Sequence, residues 1–357
     1  FFIVRFLLWA RTSSALPPTA AAGARFSLAL LLLWALFVFA EVLAVGVPAT
    51  DHPRLWLRAD DIPRLRSWAV DSNPVYRDGL RPLVEQAKQD MDGPNPSVPR
   101  LDTGSREYEE FPTEKYAELF AFMSLVSPDA GARADYARRA TNLLMFVMNQ
   151  AVLGPAEGVP FRDPSFYAQD SNRARSLGEG WPLTVDWVYP YLSAADKATV
   201  RTVFLRWADE IVNTGYHHPE PVDVKNDPVL LADRSQVRWA GNNHFDGNLR
   251  NLAYLAIAFD AADDAGNALR NYLANATGAG LYIVDELIRS DSRGGLFPEG
   301  PEYSPQALGY VTQLLFGLHT AGEDDPARWG RQVAFAGNPF WNDVLPAYVH
   351  SMSPSTW

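Results

Sequence analysis

Two turn-rich stretches carry the side chains best suited to chemistry. The first runs Arg238-Trp239-Ala240-Gly241-Asn242-Asn243-His244-Phe245-Asp246-Gly247-Asn248, and the second Gly294-Gly295-Leu296-Phe297-Pro298-Glu299-Gly300-Pro301-Glu302-Tyr303. Each stands against a long apolar helical pattern, so an amide, an imidazole, a phenol and a carboxylate can meet at the loop ends of one helical scaffold, where sites tend to sit. Such a set suits acid–base chemistry on a sugar. Removing the proton alpha to a uronate carboxylate requires that carboxylate to be neutralised, which neutral donors and a protonated imidazole do as enolate-like charge develops. Asn243 and His244 are the candidate donors. A tyrosine at the same ring face can take the proton as phenolate and return one to the leaving oxygen, if positive charge lowers its ordinary pKa of about 10. Arg238, Arg250 and Arg293 are available to supply that field.

The elements that must position these groups read as helices. Apolar residues recur at helical spacing near 60–69, 75–91, 113–126, 132–149, 182–192, 193–212, 246–262, 267–289, 304–320 and 339–350, and alternating strand patterns are scarce. Thr113 and Ser193 are the predicted caps of two of them. So many amphipathic helices need a shared core, and the absence of a fixed repeat favours a closed toroid of helical hairpins over an open solenoid. The expected class is all-α, an incomplete (α/α) toroid or barrel. The long polar segment 215–239 reads as a functional rim.

Composition narrows the function classes. The 357 residues are 47% hydrophobic, enough for a large core, and contain no cysteine, which removes disulfides and thiolate metal sites. The formal net charge is −11, and the first 49 residues hold Arg5, Arg11 and Arg25 against Glu41, so the acidic excess lies beyond them. A body so acidic argues against nucleic acid as a partner. Arg25, the apolar run Leu28 to Ala40 and the small-residue patterns ending at Ala44 and Ala49 predict a leader over residues 1–49. It is read first as a signal peptide for a secreted or periplasmic protein, and second as an uncleaved membrane anchor, because the run is short for a span. The first methionine is Met91, so the natural start is expected elsewhere.

Four segments resemble the heparinase II/III-like polysaccharide lyases, in that family's order. His52-Pro53-Arg54-Leu55-Trp56-Leu57 with Asp60-Asp61-Ile62-Pro63-Arg64-Leu65 resembles the entry to the catalytic toroid, and Gly180-Trp181-Pro182-Leu183-Thr184-Val185-Asp186-Trp187-Val188-Tyr189 a mid-toroid helix. Asn242-Asn243-His244 and Gly295-Leu296-Phe297-Pro298-Glu299-Gly300-Pro301-Glu302-Tyr303 resemble the two catalytic segments. The resemblance implies a toroid over 50–350, with 351–357 as the start of a β-sandwich domain that lies beyond this chain and would carry a further histidine. It implies cleavage of a uronic-acid polysaccharide by β-elimination, an anionic polysaccharide as partner, no cofactor, and Tyr303 as the catalytic tyrosine.

Plainer roles compete for each residue. Asn242 and Asn243 can merely cap a helix; in the lyase reading Asn242, Trp239, Arg238, Glu299 and Tyr310 bind substrate, with Tyr310, seven residues beyond Tyr303 and on its helical face, the fallback acid–base group. Glu299 is preferred as a helix-start carboxylate that scaffolds its loop. Trp181, Trp187 and Tyr189 offer faces for sugar stacking, although the spacing of Trp187 suits a core, and Trp239 is the best placed. His217-His218 has no ligand spacing for a metal, and Asp263-Asp264 and Glu323-Asp324-Asp325 read as solvated turn charges. The rival enzyme is an inverting glycoside hydrolase drawing its two carboxyls from Asp186, Asp246, Glu299 and Glu302. A non-catalytic glycan-binding module is the other class. The lyase reading expects a neutral to positive surface around Asn243 and Tyr303, and an acidic one would favour the hydrolase.

Overall fold

The computed structural model describes residues 51–101, 111–164, 178–213, 237–238 and 240–351. Its elements, in chain order, are α1 (Ile62–Trp68), α2 (Arg81–Asp92), α3 (Pro112–Val126), α4 (Ala130–Ala151), α5 (Gly180–Val188), α6 (Ala194–Val212), α7 (Asn243–Ile257), α8 (Ala268–Asn275), α9 (Leu281–Ser290), α10 (Gly300–Ala321), α11 (Pro326–Trp329) and α12 (Phe340–Ser351). Short 3₁₀ or π turns join several of them, and there is no strand among the described residues. The chain is all-α. The leader, Trp239, the histidine pair and most of the expected rim segment lie outside the described residues.

Local chemistry explains most boundaries. Ser193 caps α6 through Asp196 N–H, and Asp196 returns a bond to the Ser193 backbone, a reciprocal capping box. Thr113, by contrast, lies inside α3, where its hydroxyl accepts from Arg100 N–H at 3.0 Å and donates to Arg100 O at 2.6 Å. The expected helix over 267–289 divides, because Ala276–Gly280 winds into a wider π turn between α8 and α9. Helix α10 begins at Gly300, four residues before its apolar pattern, since Pro301 suits a first turn. Tyr303 therefore stands on helix and not on loop.

The core runs through the molecule from Phe120 and Met123 of α3, by Leu143 and Val147 of α4 and Phe204 and Trp207 of α6, to Leu252 of α7 and Leu314 of α10. Two helices are enclosed on all sides. All nine residues of α5 are buried, and so is every residue of α7 except His244. Helix α7 packs against α5, α6, α8 and, most extensively, α10. A helix apolar all round explains its own enclosure, but α7 buries Asn243, Asp246, Asn248, Arg250 and Asn251 as well. Burying polar side chains costs stability unless they are paired, and Arg250 pairs with Glu179, Gln313 and Asn251 while Asn243 pairs with Gln306.

The packing of α7 on α10 is set by one register. Asn243 meets Gln306, Arg250 meets Gln313, and Tyr254 meets Gly317, each pair 63 residues apart. A constant offset along both helices means that they run parallel. Both N-termini consequently open at the same end. Gly317 allows the close approach, because a Cβ there would lie 2.7 Å from the Tyr254 hydroxyl. Tyr254 cannot retreat: its hydroxyl accepts from Trp56 Nε1 at 2.6 Å and donates to Gln313 O. Gly317→Ala should therefore cost about 1–3 kcal/mol through overpacking, read by thermal unfolding. An unchanged melting temperature would refute the register.

The segment before α1 is tied to the same body. Asp186 of α5, fully buried, accepts from the backbone N–H groups of Arg54 and Leu55 at 2.9 Å each and pairs with His52 Nδ1 at 2.6 Å. The His52 ring stacks on Tyr189 at 3.9 Å, and Trp187 Nε1 donates to Leu55 O at 3.0 Å. Asp186 is thereby spent on anchoring residues 52–55 and is withdrawn from the hydrolase candidates. Trp181, Trp187 and Tyr189 are likewise core residues, 0–2% exposed, without a face for sugar.

Charges expected to be solvated are also paired. Asp264 is buried against Arg201 at 3.0 Å, and Asp263 accepts from Tyr189 and Lys197 at 2.6 and 2.9 Å, bonds that hold its pKa below the ordinary value. Glu323 holds Arg270 and Arg328, Asp324 holds His319, and Asp325 caps α11. Of these carboxylates Asp264 and Asp325 also accept from backbone N–H groups at helix starts, and the others are held by side chains. Among the described residues no helix is long and apolar enough to cross a membrane.

Candidate active site

The two chemistry-bearing stretches meet where α7 and α10 begin. Asn242 is the N-cap of α7, its side chain accepting from His244 N–H at 2.9 Å, so its capping role is realised. Gly241 lets the second stretch close over the first: a Cβ there would stand 3.2 Å from Pro298 Cγ and 3.1 Å from Leu287 Cδ2. Gly295, at φ +98°, packs so closely on the start of α12 that a Cβ would fall 2.6 Å from the Asp343 carbonyl carbon. This pins the loop before Glu299 from behind. Ser304 hydroxyl, donating to Phe297 O at 2.9 Å, closes the turn into α10.

On this base Asn243, buried at 2% exposure, donates from Nδ2 to Gln306 Oε1 at 3.4 Å. That contact joins the two segments directly. Gln306 carries no signal of its own in the sequence; only the register of the helices and its place three residues after Tyr303 reveal it. Residues three apart on a helix are neighbours on its surface, so Tyr303, 46% exposed, stands one turn nearer the opening than Gln306. His244, the one residue of α7 that is not buried, reaches the same end.

Tyr310 is placed differently. It lies below the surface, 9% exposed, with the Arg250 guanidinium 4.7 Å above its ring centroid. Arg250 is fully buried and is committed to Glu179 at 2.8 Å, Gln313 at 2.5 Å and Asn251 at 2.8 Å. Its charge is met by Glu179 and not offered to the opening. Arg238 points out, 68% exposed, and pairs with Asp291 at 2.8 Å. Of the three arginines proposed as a field, two are thus engaged in ion pairs. Positive potential at the opening comes instead from the N-terminal ends of two parallel helices.

Three carboxyls lie at the same end. Asp246, in the first turn of α7, is 1% exposed with neither oxygen hydrogen-bonded. Burial first, and the charge of Glu299 second, push its pKa well above the ordinary carboxylate range. Glu299 occupies the N-cap position of α10 without a capping bond from its side chain, so it starts the helix by position alone. Glu302 is exposed beside Tyr303. The surroundings of Asn243 therefore hold the carboxyls of Asp246, Glu299 and Glu302 where a neutral to positive surface is expected, with burial pushing the Asp246 pKa up.

A carboxyl pKa raised on folding has a signed consequence. Asp246 favours the folded state fully only below the unfolded carboxyl pKa of about 3.9, and this contribution is lost as pH rises from there through the raised folded value. Asp246→Asn removes the ionisation. Its gain in melting temperature over the unsubstituted protein should be larger at pH 8 than at pH 4, and equal differences at both would show the carboxyl unshifted.

No group of three or more His, Asp or Glu able to hold a metal occurs among the described residues. Neither the protein-family models nor the curated proteins contain a match to this chain. The functional reading accordingly rests on the site itself.

Proposed function

We propose that this chain is the catalytic helical part of an exported polysaccharide lyase that cleaves a uronic-acid polymer by β-elimination. The observation that carries the reading is the joined opening of α7 and α10, where Asn243 is held to Gln306 one turn below Tyr303, with His244 at the same end. In this reading the Asn243 amide and the His244 imidazole neutralise the substrate carboxylate, and the two helix N-termini add to the positive field. Tyr303 removes the proton alpha to that carboxylate as general base and returns a proton to the leaving glycosidic oxygen as the double bond forms. No metal or cofactor takes part. The helical hairpins form an incomplete toroid, and the resemblance to heparinase II/III-like lyases in four ordered segments supports the same class.

The reading is tested by offering the protein a panel of uronic-acid polymers, glycosaminoglycan-like and alginate-like. Elimination leaves an ultraviolet-absorbing double bond at the new non-reducing end. Asn243→Ala should lower the rate of its appearance by about 10²–10³-fold, as for a lost oxyanion donor. Products without absorbance would move the chain to the hydrolases, and binding without products to the glycan-binding modules.

A second reading draws on Asp246 and Glu299. An inverting hydrolase uses one carboxyl of raised pKa as acid and a second, across the scissile bond, as base, and burial raises the pKa of Asp246. Burial does not separate the two readings, since Asn243 at 2% exposure is as enclosed as Asp246 at 1%. A glycan-binding module, in turn, has no use for the buried polar face of α7.

A further inference from the structure

We propose that Gln306 is a second substrate-binding amide, one that receives the uronate carboxylate beside Asn243. The inference deepens the lyase reading and rests on it. Gln306 Oε1 accepts a hydrogen bond from Asn243 Nδ2 at 3.4 Å, so the Gln306 amide presents its oxygen to Asn243. An amide has one carbonyl oxygen and one NH₂ group. With the oxygen turned toward Asn243, the Nε2 group, carrying two N–H donors, is turned away from it.

Gln306 is exposed, unlike Asn243. It lies one helical turn from Tyr303 on the same side of α10, close to the N-terminal ends of α7 and α10. A carboxylate there would find these amide donors and the two helix ends, with the exposed Glu302 nearby. Donors of this kind favour the enolate-like charge of the transition state over the ground state. The Gln306–Asn243 pair also couples substrate contact on α10 to the buried amide on α7. A spacer role alone would leave binding untouched, because replacing an exposed side chain usually changes stability little.

The test separates carboxylate recognition from turnover. In the Tyr303→Phe background, affinity is measured by calorimetry for an oligoalginate and an oligoglucuronan and for the carboxyl-reduced form of each. The parent should prefer the carboxylate forms. Gln306→Leu should cut that preference about tenfold to a hundredfold, as expected for a lost hydrogen bond to a charged group. Affinity for the reduced forms should stay the same. Gln306→Glu, of the same size, should abolish the preference, and it answers the question even if the leucine variant folds poorly. If both variants keep the parent's preference, Gln306 does not touch the carboxylate while the lyase reading stands. A parent with no preference overturns this inference and the lyase reading together.

Discussion

Tyr303→Phe is expected to lower turnover by at least the ~10²–10⁴-fold typical of losing a general acid–base group, with substrate binding kept. The substitution preserves the ring and removes the atom that carries the proton. Tyr303 is 46% exposed in the first turns of α10, so folding should not suffer. Tyr310→Phe is the internal control. Its ring lies under Arg250 at 4.7 Å and stays there without the hydroxyl, so elimination should remain near normal. Steady-state rates of double-bond formation decide the matter. If Tyr303→Phe retains activity and Tyr310→Phe loses it, the acid–base group has been misplaced by two turns. If neither matters while Glu299→Gln inactivates, the chemistry belongs to carboxylates.

Arg250→Met should destabilise the protein by about 3–5 kcal/mol, because it leaves the Glu179 carboxylate buried without its charge partner. For a domain of this size the melting temperature should fall on the order of 10 °C. The loss would be structural: Arg250 joins α5, through Glu179 at 2.8 Å, to α10, through Gln313 at 2.5 Å. Adding Glu179→Gln removes the stranded charge, so the double variant should recover part of the stability, a coupling that separate sites would not show. A fall in melting temperature of a degree or two for Arg250→Met would mean that Glu179 is satisfied without it.

Helix positions were legible because apolar spacing reports burial on one face, but their number was not, since the run over 267–289 divides into α8 and α9 and α11 was not expected. Ser193 could be read as a cap because its partner Asp196 lies three residues on, within one turn. Thr113 could not, since what it satisfies is Arg100, across a loop, and no local pattern encodes that. The same holds for the acidic turns: Asp264 and Glu323 look solvated in sequence, and only the fold brings Arg201 and Arg270 to them.

Within the site, the polar clusters and the capping by Asn242 were visible as residue types. The burial of Asp246 was not. An aspartate in a first helical turn reads as an ordinary helix-start charge, and its isolation depends on α10 and on the Glu299 loop closing over it. Nor was Arg250 readable as an internal ion pair, because Glu179 is 71 residues away in the chain. Gln306 emerged only from the parallel register that sets it against Asn243.

Abstraction of the proton alpha to the uronate carboxylate is the central claim, and isotopic labelling tests it most directly. A uronic-acid oligosaccharide deuterated at C5, the position alpha to the carboxylate, is digested and the products are analysed by mass spectrometry and NMR. Elimination removes that deuterium from the sugar that becomes unsaturated, so the new end should carry a double bond and no label. Retention of the deuterium in a saturated, water-added product would contradict the account.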